Sequence, residues 1–249
     1  MNSPVIKKII FIPGGEISFL CNSLLFFYSL RYNHLTNSSC PHLASVIRNN
    51  KTIRTLSLSY NVLDGPRFRD LMETLTTSRI EKLHLVGNHL TDSLCPHLAS
   101  GIRNNQTLRT LDLSNNDLDG PHFRDLMEAL TTSRIEELQL DNNDLTDSSC
   151  PHLASGIRNN QTLRTLSLSY NKLGGPHFRD LMEALTTSRI EELLLYNNQL
   201  TDSSCPHLAS GIRNNQKLRR LNLGGNNLEG PHFRDLMKVL TTSQIEDLQ

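Results

Sequence analysis

Apolar residues recur along this chain in a short motif that returns every 27 or 28 residues. One copy reads Leu-x-x-Leu-x-Leu-x-x-Asn-x-Leu over residues 108–118, and the next has Ile in the first position over residues 135–145. The motif stays in register from Leu56 to Leu248. Alternating apolar and polar positions predict a short strand with one buried face. The fixed period predicts a stack of similar units.

Two kinds of amphipathic helix alternate between the predicted strands. The buried stripe of the first kind is Cys150, Leu153, Ala154 and Ile157, and that of the second kind is Phe123, Leu126, Met127 and Leu130. Both stripes have the spacing that places side chains on one helical face. Residues 147–149 are expected to supply oxygens that cap the first kind of helix, with Pro151 in its first turn. Asn159 and Asn160 are expected to end it in left-handed backbone.

A unit of one strand, one turn and one helix cannot bury its apolar face alone, so the units must stack. Strands stack about 4.8 Å apart, whereas packed helices need about 8–10 Å. This mismatch predicts a curved right-handed α/β solenoid, a horseshoe with a parallel sheet on its concave side and helices on its convex side. One asparagine follows each strand, and its amide is expected to bond backbone groups that would otherwise lack partners. This asparagine column is Asn33, Asn61, Asn88, Asn116, Asn143, Asn171, Asn198 and Asn226.

The motif divides the chain into two parts. Residues 28–249 form the predicted repeat domain, and residues 1–27 form an atypical hydrophobic segment without the motif. Lys7 and Lys8 precede an apolar run, as in an export signal, but a Pro-Gly-Gly-Glu break at residues 13–16 interrupts it and no cleavage motif follows. Because the motif stops within a repeat and solenoids need caps, both ends are expected to be cut ends of a longer array.

Charge and cysteine content suggest a neutral protein of a reducing compartment. Lys and Arg number 25, as do Asp and Glu, so the formal net charge is zero. A neutral chain has no overall electrostatic footprint for nucleic acid or an anionic membrane, and neither partner is expected. Cys40, Cys95, Cys150 and Cys205 recur 55 residues apart. Stacking separates their sulfurs by about 20 Å, too far for disulfides. Buried free thiols therefore predict a cytoplasmic location.

No residue pattern indicates catalysis. The ten histidines are repeat copies spread along the stack rather than a converging cluster, so no metal site is expected. The sequence has neither a phosphate-binding Gly-x-x-x-x-Gly-Lys loop nor a Gly-x-Ser-x-Gly nucleophile motif. We therefore predict a non-enzymatic protein without catalytic residues or cofactors. Asn37, Asn50, Asn105 and Asn160 lie in glycosylation sequons, which we interpret as by-products of the repetition.

The informative positions are those at which the copies differ. Residues 108–162 and 163–217 differ at eight of 55 positions, and seven of the eight lie on or just after a strand. The helices are identical. Because strand side chains alternate between faces, these differences collect on the concave side. The predicted partner-binding residues are Lys82, His84, Asp112, Asn115, Glu137, Gln139, Asp141, Tyr170, Glu192, Leu194, Tyr196, Arg220 and Asn222.

A protein partner fits this composition, because exposed Tyr and Arg dominate protein-binding hot spots. Tyr32 and Tyr60 are expected at the rim of the same surface, beside Tyr170. The alternative interpretation is drift of unconstrained exposed positions. Drift should also have changed the exposed side of the helices, and those are identical between the two copies.

The sequence Leu-Arg-Thr-Leu-Asp-Leu-Ser-Asn-Asn-Asp-Leu at 108–118, the alternating 27- and 28-residue halves and the Leu-Thr-Asp-Ser-x-Cys turns resemble ribonuclease-inhibitor-type leucine-rich-repeat proteins. The chain looks most like the C-terminal repeats of NACHT–leucine-rich-repeat innate sensors, the NOD-like receptors. This resemblance covers residues 28–249 and implies partner sensing, with a nucleotide-binding domain elsewhere in the parent protein. Two alternatives stay open. A ribonuclease-inhibitor-like enzyme inhibitor needs a strongly acidic concave face, and a GTPase-activating solenoid needs a singular catalytic Arg or polar residue.

Overall fold

The computed structural model describes residues 27–103 and 105–249, and within these ranges nine strands alternate with eight helices. The strands are β1 (Phe27–Ser29), β2 (Thr55–Ser57), β3 (Lys82–His84), β4 (Thr110–Asp112), β5 (Glu137–Gln139), β6 (Thr165–Ser167), β7 (Glu192–Leu194), β8 (Arg220–Asn222) and β9 (Asp247–Leu248). The helices are α1 (Cys40–Asn49), α2 (Phe68–Leu75), α3 (Cys95–Arg103), α4 (Phe123–Leu130), α5 (Cys150–Asn159), α6 (Phe178–Leu185), α7 (Cys205–Asn214) and α8 (Phe233–Thr242). Residues 1–26, nearly all of the predicted atypical segment, lie outside the described residues.

The strands form one parallel sheet in chain order. No strand is shifted against its neighbours: Leu83 pairs with Leu111, and Leu111 pairs with Leu138. Each connection passes through one helix, and such crossovers are right-handed. The predicted curved α/β solenoid is therefore confirmed, with the sheet on its concave side.

The leucines of the motif form one continuous core between the sheet and the helices. Leu111, Leu113 and Phe123 are completely buried, and burying a side chain of this size contributes roughly 1.5–3 kcal/mol. The four repeat cysteines are buried free thiols, as predicted. Burial raises the pKa of the Cys40 thiol to about 12 and that of Cys205 to about 11. These thiols therefore stay protonated and unreactive at neutral pH.

The asparagine column bonds the backbone as predicted, but it contains two kinds of asparagine. Asn116 donates through Nδ2 to the carbonyl oxygens of Leu85 (3.1 Å) and Leu113 (2.7 Å). Its Oδ1 accepts the backbone N–H groups of Asn88 and Leu90, both at 3.0 Å. The second kind donates through Nδ2 in a similar way, but its buried Oδ1 accepts no hydrogen bond from the described residues. This second kind is Asn88, Asn143 and Asn198.

The expectation of left-handed helix ends at the Asn-Asn pairs is wrong. Asn160 ends α5 in extended backbone, with φ −79° and ψ 134°. Its side chain makes the turn instead, because Oδ1 accepts from the N–H groups of Thr162 (2.8 Å) and Leu163 (2.6 Å), and Nδ2 donates to the Leu130 carbonyl of the preceding repeat (2.6 Å). Asn160 and Asn105 are each 2% exposed. The side chains of these two sequon asparagines are buried and hydrogen-bonded within the fold, so they are inaccessible to glycan transfer in the folded chain.

The residues expected to cap α5 act partly on the next repeat. Pro151 lies in the first turn of α5, as predicted, but Ser149 makes no side-chain cap bond to that helix. Instead, Asp147 Oδ1 accepts from the N–H groups of His177 (2.9 Å) and Phe178 (3.0 Å), at the start of α6. Capping here therefore joins one repeat to the following one, which no pattern within a single helix would reveal.

Candidate functional site

The concave face is formed by side chains that alternate with the buried leucines of the strands. All thirteen predicted partner-binding residues lie on β3–β8 or on the turns directly after these strands. Lys82, Asn115, Tyr170, Tyr196 and Arg220 are exposed. Asp112 is the most buried of the set at 9% exposure, and the others are half-buried. The sequence therefore located these side chains on one surface of the solenoid.

Charged residues of the concave face pair with one another across neighbouring strands. Arg220 lies 2.7 Å from Glu192, and His84 Nδ1 lies 3.5 Å from Asp112 Oδ2. Lys82 is exposed and makes no ion pair with any described residue. Both charge signs are thus present, and part of each is neutralised within the face itself.

A shallow cleft of about 490 Å³ lies among the last residues of β6, β7 and β8 and the turns that follow β4 to β7. It takes residues from five successive repeats, and six of the thirteen predicted residues line it. The other seven lie along the strands outside it. The cleft is lined by Ser114, Asn115, Asp141, Asn142, Ser167, Ser169, Tyr170, Leu194, Tyr196 and Asn222.

Two tyrosines form the aromatic wall of this cleft. The rings of Tyr170 and Tyr196 lie 5.2 Å apart at 58°, and they are 53% and 37% exposed. The backbone of Tyr170 is left-handed, with φ 58°. The Tyr196 ring lies against Gly224 and Gly225, where an added Cβ at Gly225 would be 3.2 Å from the ring and φ is +69°. Glycine is required there by both the contact and the backbone.

Asp141 is the half-buried acid of the cleft. Its Oδ1 accepts from the Ser169 N–H at 2.7 Å and from the Ser167 hydroxyl at 2.5 Å. Burial raises the pKa of Asp141 above its usual value despite these bonds, and the nearby charge of Asp112 adds to the rise. Burial also acts on Asp112, but hydrogen bonds with His84 and the following turn hold the pKa of Asp112 below its usual value. A positive charge placed next to Asp141 would favour its ionised form, which burial disfavours.

A second aromatic pair lies near the N-terminal end of the described chain. Tyr32 and Tyr60 stack with centroids 4.5 Å apart and planes 3° from parallel. The Arg31 guanidinium lies 5.4 Å from the Tyr60 centroid, within cation–π range, and the Tyr60 ring also lies against Gly87. Tyr32 is 65% and Tyr60 36% exposed, so this pair is a second exposed aromatic surface, separate from the cleft.

Several cleft residues are identical in both copies and therefore gave no signal in the sequence. Ser114 and Ser169 occupy the same position of their repeats, and Asn142 is also unchanged in the next copy. Asn142 Nδ2 nevertheless donates to Asn115 Oδ1 at 3.0 Å and fixes that side chain at the cleft edge. Ser167 is one of the eight differing positions, so its signal was present in the sequence.

Two of the histidines connect neighbouring repeats, whereas His177 Nδ1 lies 3.5 Å from Asp180 Oδ2 of its own repeat. His122 Nδ1 lies 2.8 Å from Asp92 Oδ2, and His232 Nδ1 lies 2.7 Å from Asp202 Oδ2. Within residues 27–103 and 105–249, no three His, Cys, Asp or Glu side chains lie close enough together to hold a metal ion. Across the same residues, no helix combines the length and the apolar content that crossing a bilayer requires.

In-register parallel strands, one helix per turn and an asparagine column define a leucine-rich-repeat solenoid. Comparison with known families agrees, because the Leucine Rich repeat family matches residues 104–121, 159–176 and 214–231. The chain is thus built of leucine-rich repeats and is similar to leucine-rich-repeat proteins of the ribonuclease-inhibitor type. Its relatives include both ribonuclease inhibitors and proteins with NACHT and leucine-rich-repeat domains.

Three relatives illustrate this range. Ribonuclease inhibitor of Sus scrofa is 34% identical over 218 residues, which are 85% of this chain and 48% of that protein. NACHT, LRR and PYD domains-containing protein 3 of Bos taurus is 36% identical over 202 residues, 79% of this chain and 20% of that protein. NACHT, LRR and PYD domains-containing protein 13 of Homo sapiens is 29% identical over 248 residues, which are 98% of this chain and 23% of that protein. The chain therefore spans about half, or less, of the length of these relatives.

Among solved structures, a TLR13–ssRNA13 complex superposes with a TM-score of 0.51 at 22% identity. The match covers 80% of this chain and 25% of that one. At this identity the likeness concerns the fold alone, and it supports the solenoid architecture.

Proposed function

We propose that this chain is a non-enzymatic protein-binding module, the partner-sensing repeat region of a NOD-like-receptor-type innate-immune protein. The observation that carries this proposal is the position of the differences between copies. Four of the eight differing positions place a side chain in the cleft: Asp112/Ser167, Asn115/Tyr170, Gln139/Leu194 and Asp141/Tyr196. The exposed helix positions are free to drift as well, and they have not changed.

The cleft also indicates what kind of partner surface fits it. Tyr170, Tyr196 and Leu194 offer apolar area, and Asp141 offers a carboxylate that burial disfavours. A protruding partner segment that carries an apolar side chain next to a Lys or Arg would satisfy both features. Buried free thiols and NACHT-domain relatives favour the cytoplasm as the compartment in which this binding takes place.

A quantitative pull-down from cytosol tests the proposal. The wild type is compared with a Tyr170→Ala, Glu192→Lys, Tyr196→Ala variant, and folding of both is checked by circular dichroism. The matched control carries Arg124→Ala and Arg179→Ala on the convex helices. We expect at least one protein to be captured by the wild type and the control but lost from the cleft variant. Identical capture by all three would contradict concave-face binding.

The enzyme-inhibitor alternative depends on the charge of the concave face. A ribonuclease inhibitor needs carboxylates that are free to contact a basic nuclease. Glu137 and Asp141 supply such carboxylates on the concave face. Glu192, however, is already paired with Arg220, and Lys82 opposes the remainder. Titration of the chain against a pancreatic-type ribonuclease separates the two functions, because stoichiometric inhibition would favour the alternative.

The GTPase-activating alternative needs a singular arginine free to reach a nucleotide. Arg220 is the one arginine on the described concave strands, but its guanidinium lies 2.7 Å from Glu192. An arginine held by a carboxylate of its own chain is poorly placed to stabilise a phosphoryl transition state. GTP hydrolysis by small GTPases, measured with and without the chain, is expected to be unchanged.

A further inference from the structure

The net charge of zero conceals an uneven distribution of charge over the solenoid. The connections from helices to the next strands, together with the last one or two residues of α1, α3, α5 and α7, all lie along one edge of the stack, which we call the basic edge. These segments hold thirteen of the chain's 25 Lys and Arg residues but only four of its 25 Asp and Glu residues. The described residues of these segments are 48–54, 76–81, 103, 105–109, 131–136, 158–164, 186–191, 213–219 and 243–246. The last turns of α2, α4 and α6 each add one glutamate, and each of these is paired with an arginine of its own helix.

The four carboxylates within these segments are already neutralised. Each lies 3.2–3.5 Å from an arginine of the preceding repeat, in the pairs Arg54–Glu81, Arg109–Glu136, Arg164–Glu191 and Arg219–Glu246. Nine cations remain, all of them exposed, and none makes an ion pair with a described residue. These nine are Arg48, Lys51, Arg79, Arg103, Arg134, Arg158, Arg189, Arg213 and Lys217.

Helix stabilisation explains only part of this surplus. The helices run in parallel, so their C-terminal ends meet at the basic edge, and each end carries a partial charge of roughly −0.5. The eight helices of the described chain therefore offset about four of the nine positive charges. Five of the nine cations, Arg79 among them, also lie beyond the helix ends. A positive surplus remains that folding does not require.

The basic edge is level, because the sheet has no stagger. Thr55 pairs with Lys82, Lys82 with Thr110 and Thr110 with Glu137, so successive strands start side by side. The edge connections contain no Phe, Tyr or Trp, so they lack the stacking platforms that bind single-stranded nucleic acid. A straight duplex would cross the curved edge along a chord and miss some cations. A flat surface contacts all nine together.

We propose that the basic edge docks on an anionic lipid bilayer, through contacts between its nine free cations and the headgroups. The opposite edge is formed by the turns after the strands and carries nine Asp and Glu residues but only three Lys and Arg residues. An anionic bilayer therefore repels that edge. The chain therefore lies on the membrane in one orientation, with the sheet upright. The concave face, including Asp141 and Tyr196, stays open to a protein partner.

Cosedimentation with vesicles tests this proposal, using the whole chain of residues 1–249. Vesicles of phosphatidylcholine alone are compared with vesicles that also contain phosphatidylserine. The edge variant carries Arg103→Gln, Arg134→Gln, Arg158→Gln and Arg189→Gln. The matched control loses the same charge from exposed positions on the convex helices, by Arg69→Gln, Arg124→Gln, Arg179→Gln and Arg234→Gln.

We expect the wild type and the helix control to bind phosphatidylserine vesicles in a salt-sensitive manner. Each cation near such a surface strengthens binding roughly fivefold, so the edge variant should bind several-hundred-fold more weakly. A variant with Lys at the same four edge positions should bind like the wild type, because a point charge suffices. Equal loss in the helix control, or unchanged binding by the edge variant, would overturn the proposal. So would binding of a short RNA duplex without binding of vesicles.

Discussion

Helices α4 and α6 have the same eight-residue sequence, start at equivalent positions and bury the same side chains. The turns after β5 and β7, by contrast, carry Asp141 in one copy and Tyr196 in the other. Both turns keep the same left-handed positions, Asn142 and Asp144 in the first and Asn197 and Gln199 in the second. The backbone is therefore the same while the presented side chain changes. The solenoid thus separates the residues that hold it together from those that it displays.

The largest expected effect comes from the shared scaffold. Leu140 is completely buried, so Leu140→Ala should lower the free energy of unfolding by about 2–5 kcal/mol. Gln139→Ala, on the concave face, should change it by less than about 0.5 kcal/mol. Denaturant unfolding measures both. Because repeats contact mainly their neighbours, hydrogen exchange should rise first around β5, and a uniform rise along the chain would contradict this account.

The second-largest effect on stability is expected in the asparagine column, where the two kinds of asparagine should differ in the cost of substitution. Asn171 Oδ1 accepts the N–H groups of Asn143 and Leu145, both at 3.0 Å, so Asn171→Leu leaves two buried donors unpaired. Asn143 Oδ1 has no such partner among the described residues. Asn143→Leu should cost about 1–3 kcal/mol and Asn171→Leu more. Thermal melts that show equal losses would remove the distinction.

A smaller effect is expected at the caps between repeats. Asp147→Ala removes the acceptor for the His177 and Phe178 N–H groups and should cost about 1 kcal/mol. Asp147→Asn keeps an oxygen at that position and should cost less. Hydrogen exchange should report the loss at the start of α6. Loss confined to α5, the helix that follows Asp147 in sequence, would show that the cap acts within its own repeat.

The smallest effect on stability is expected at the displayed acids, and it depends on pH. Because the folded chain raises the pKa of Asp141, its ionised form is disfavoured in the fold, and any stability it contributes is lost as pH rises through that raised value. Asp141→Asn should therefore melt at the same or a higher temperature at pH 7. The pKa of Asp112 is lowered, so its contribution is present at neutral pH and lost in acid. Asp112→Asn should be destabilising at pH 7, and the destabilisation should shrink as pH falls through the lowered pKa of Asp112. The reverse order would contradict these environments.

Periodicity in the sequence predicted the features that burial imposes. The leucine motif, the two helix faces and the asparagine column all repeat locally, so their positions followed from spacing alone. The Asp147 cap and the Asn160 turn did not, because each bonds a residue about 30 positions away. The cleft draws on five repeats, and its unchanged members give no signal when copies are compared. The net charge of zero likewise gives no indication of the basic edge, because the cations come together only when the sheet aligns successive repeats.

The central claim is that recognition belongs to the turns after the strands and not to the helices. Titration calorimetry of the captured partner tests it most directly, with the wild type, a Tyr170→Ala, Tyr196→Ala variant and an Arg124→Ala, Arg179→Ala variant. One hot-spot truncation costs about 2 kcal/mol or more, so the tyrosine variant should bind at least about thirtyfold more weakly even if only one of its two tyrosines is a hot spot. The helix variant should match the wild type. Equal affinity of the tyrosine variant, or a comparable loss in the helix variant, would contradict the account.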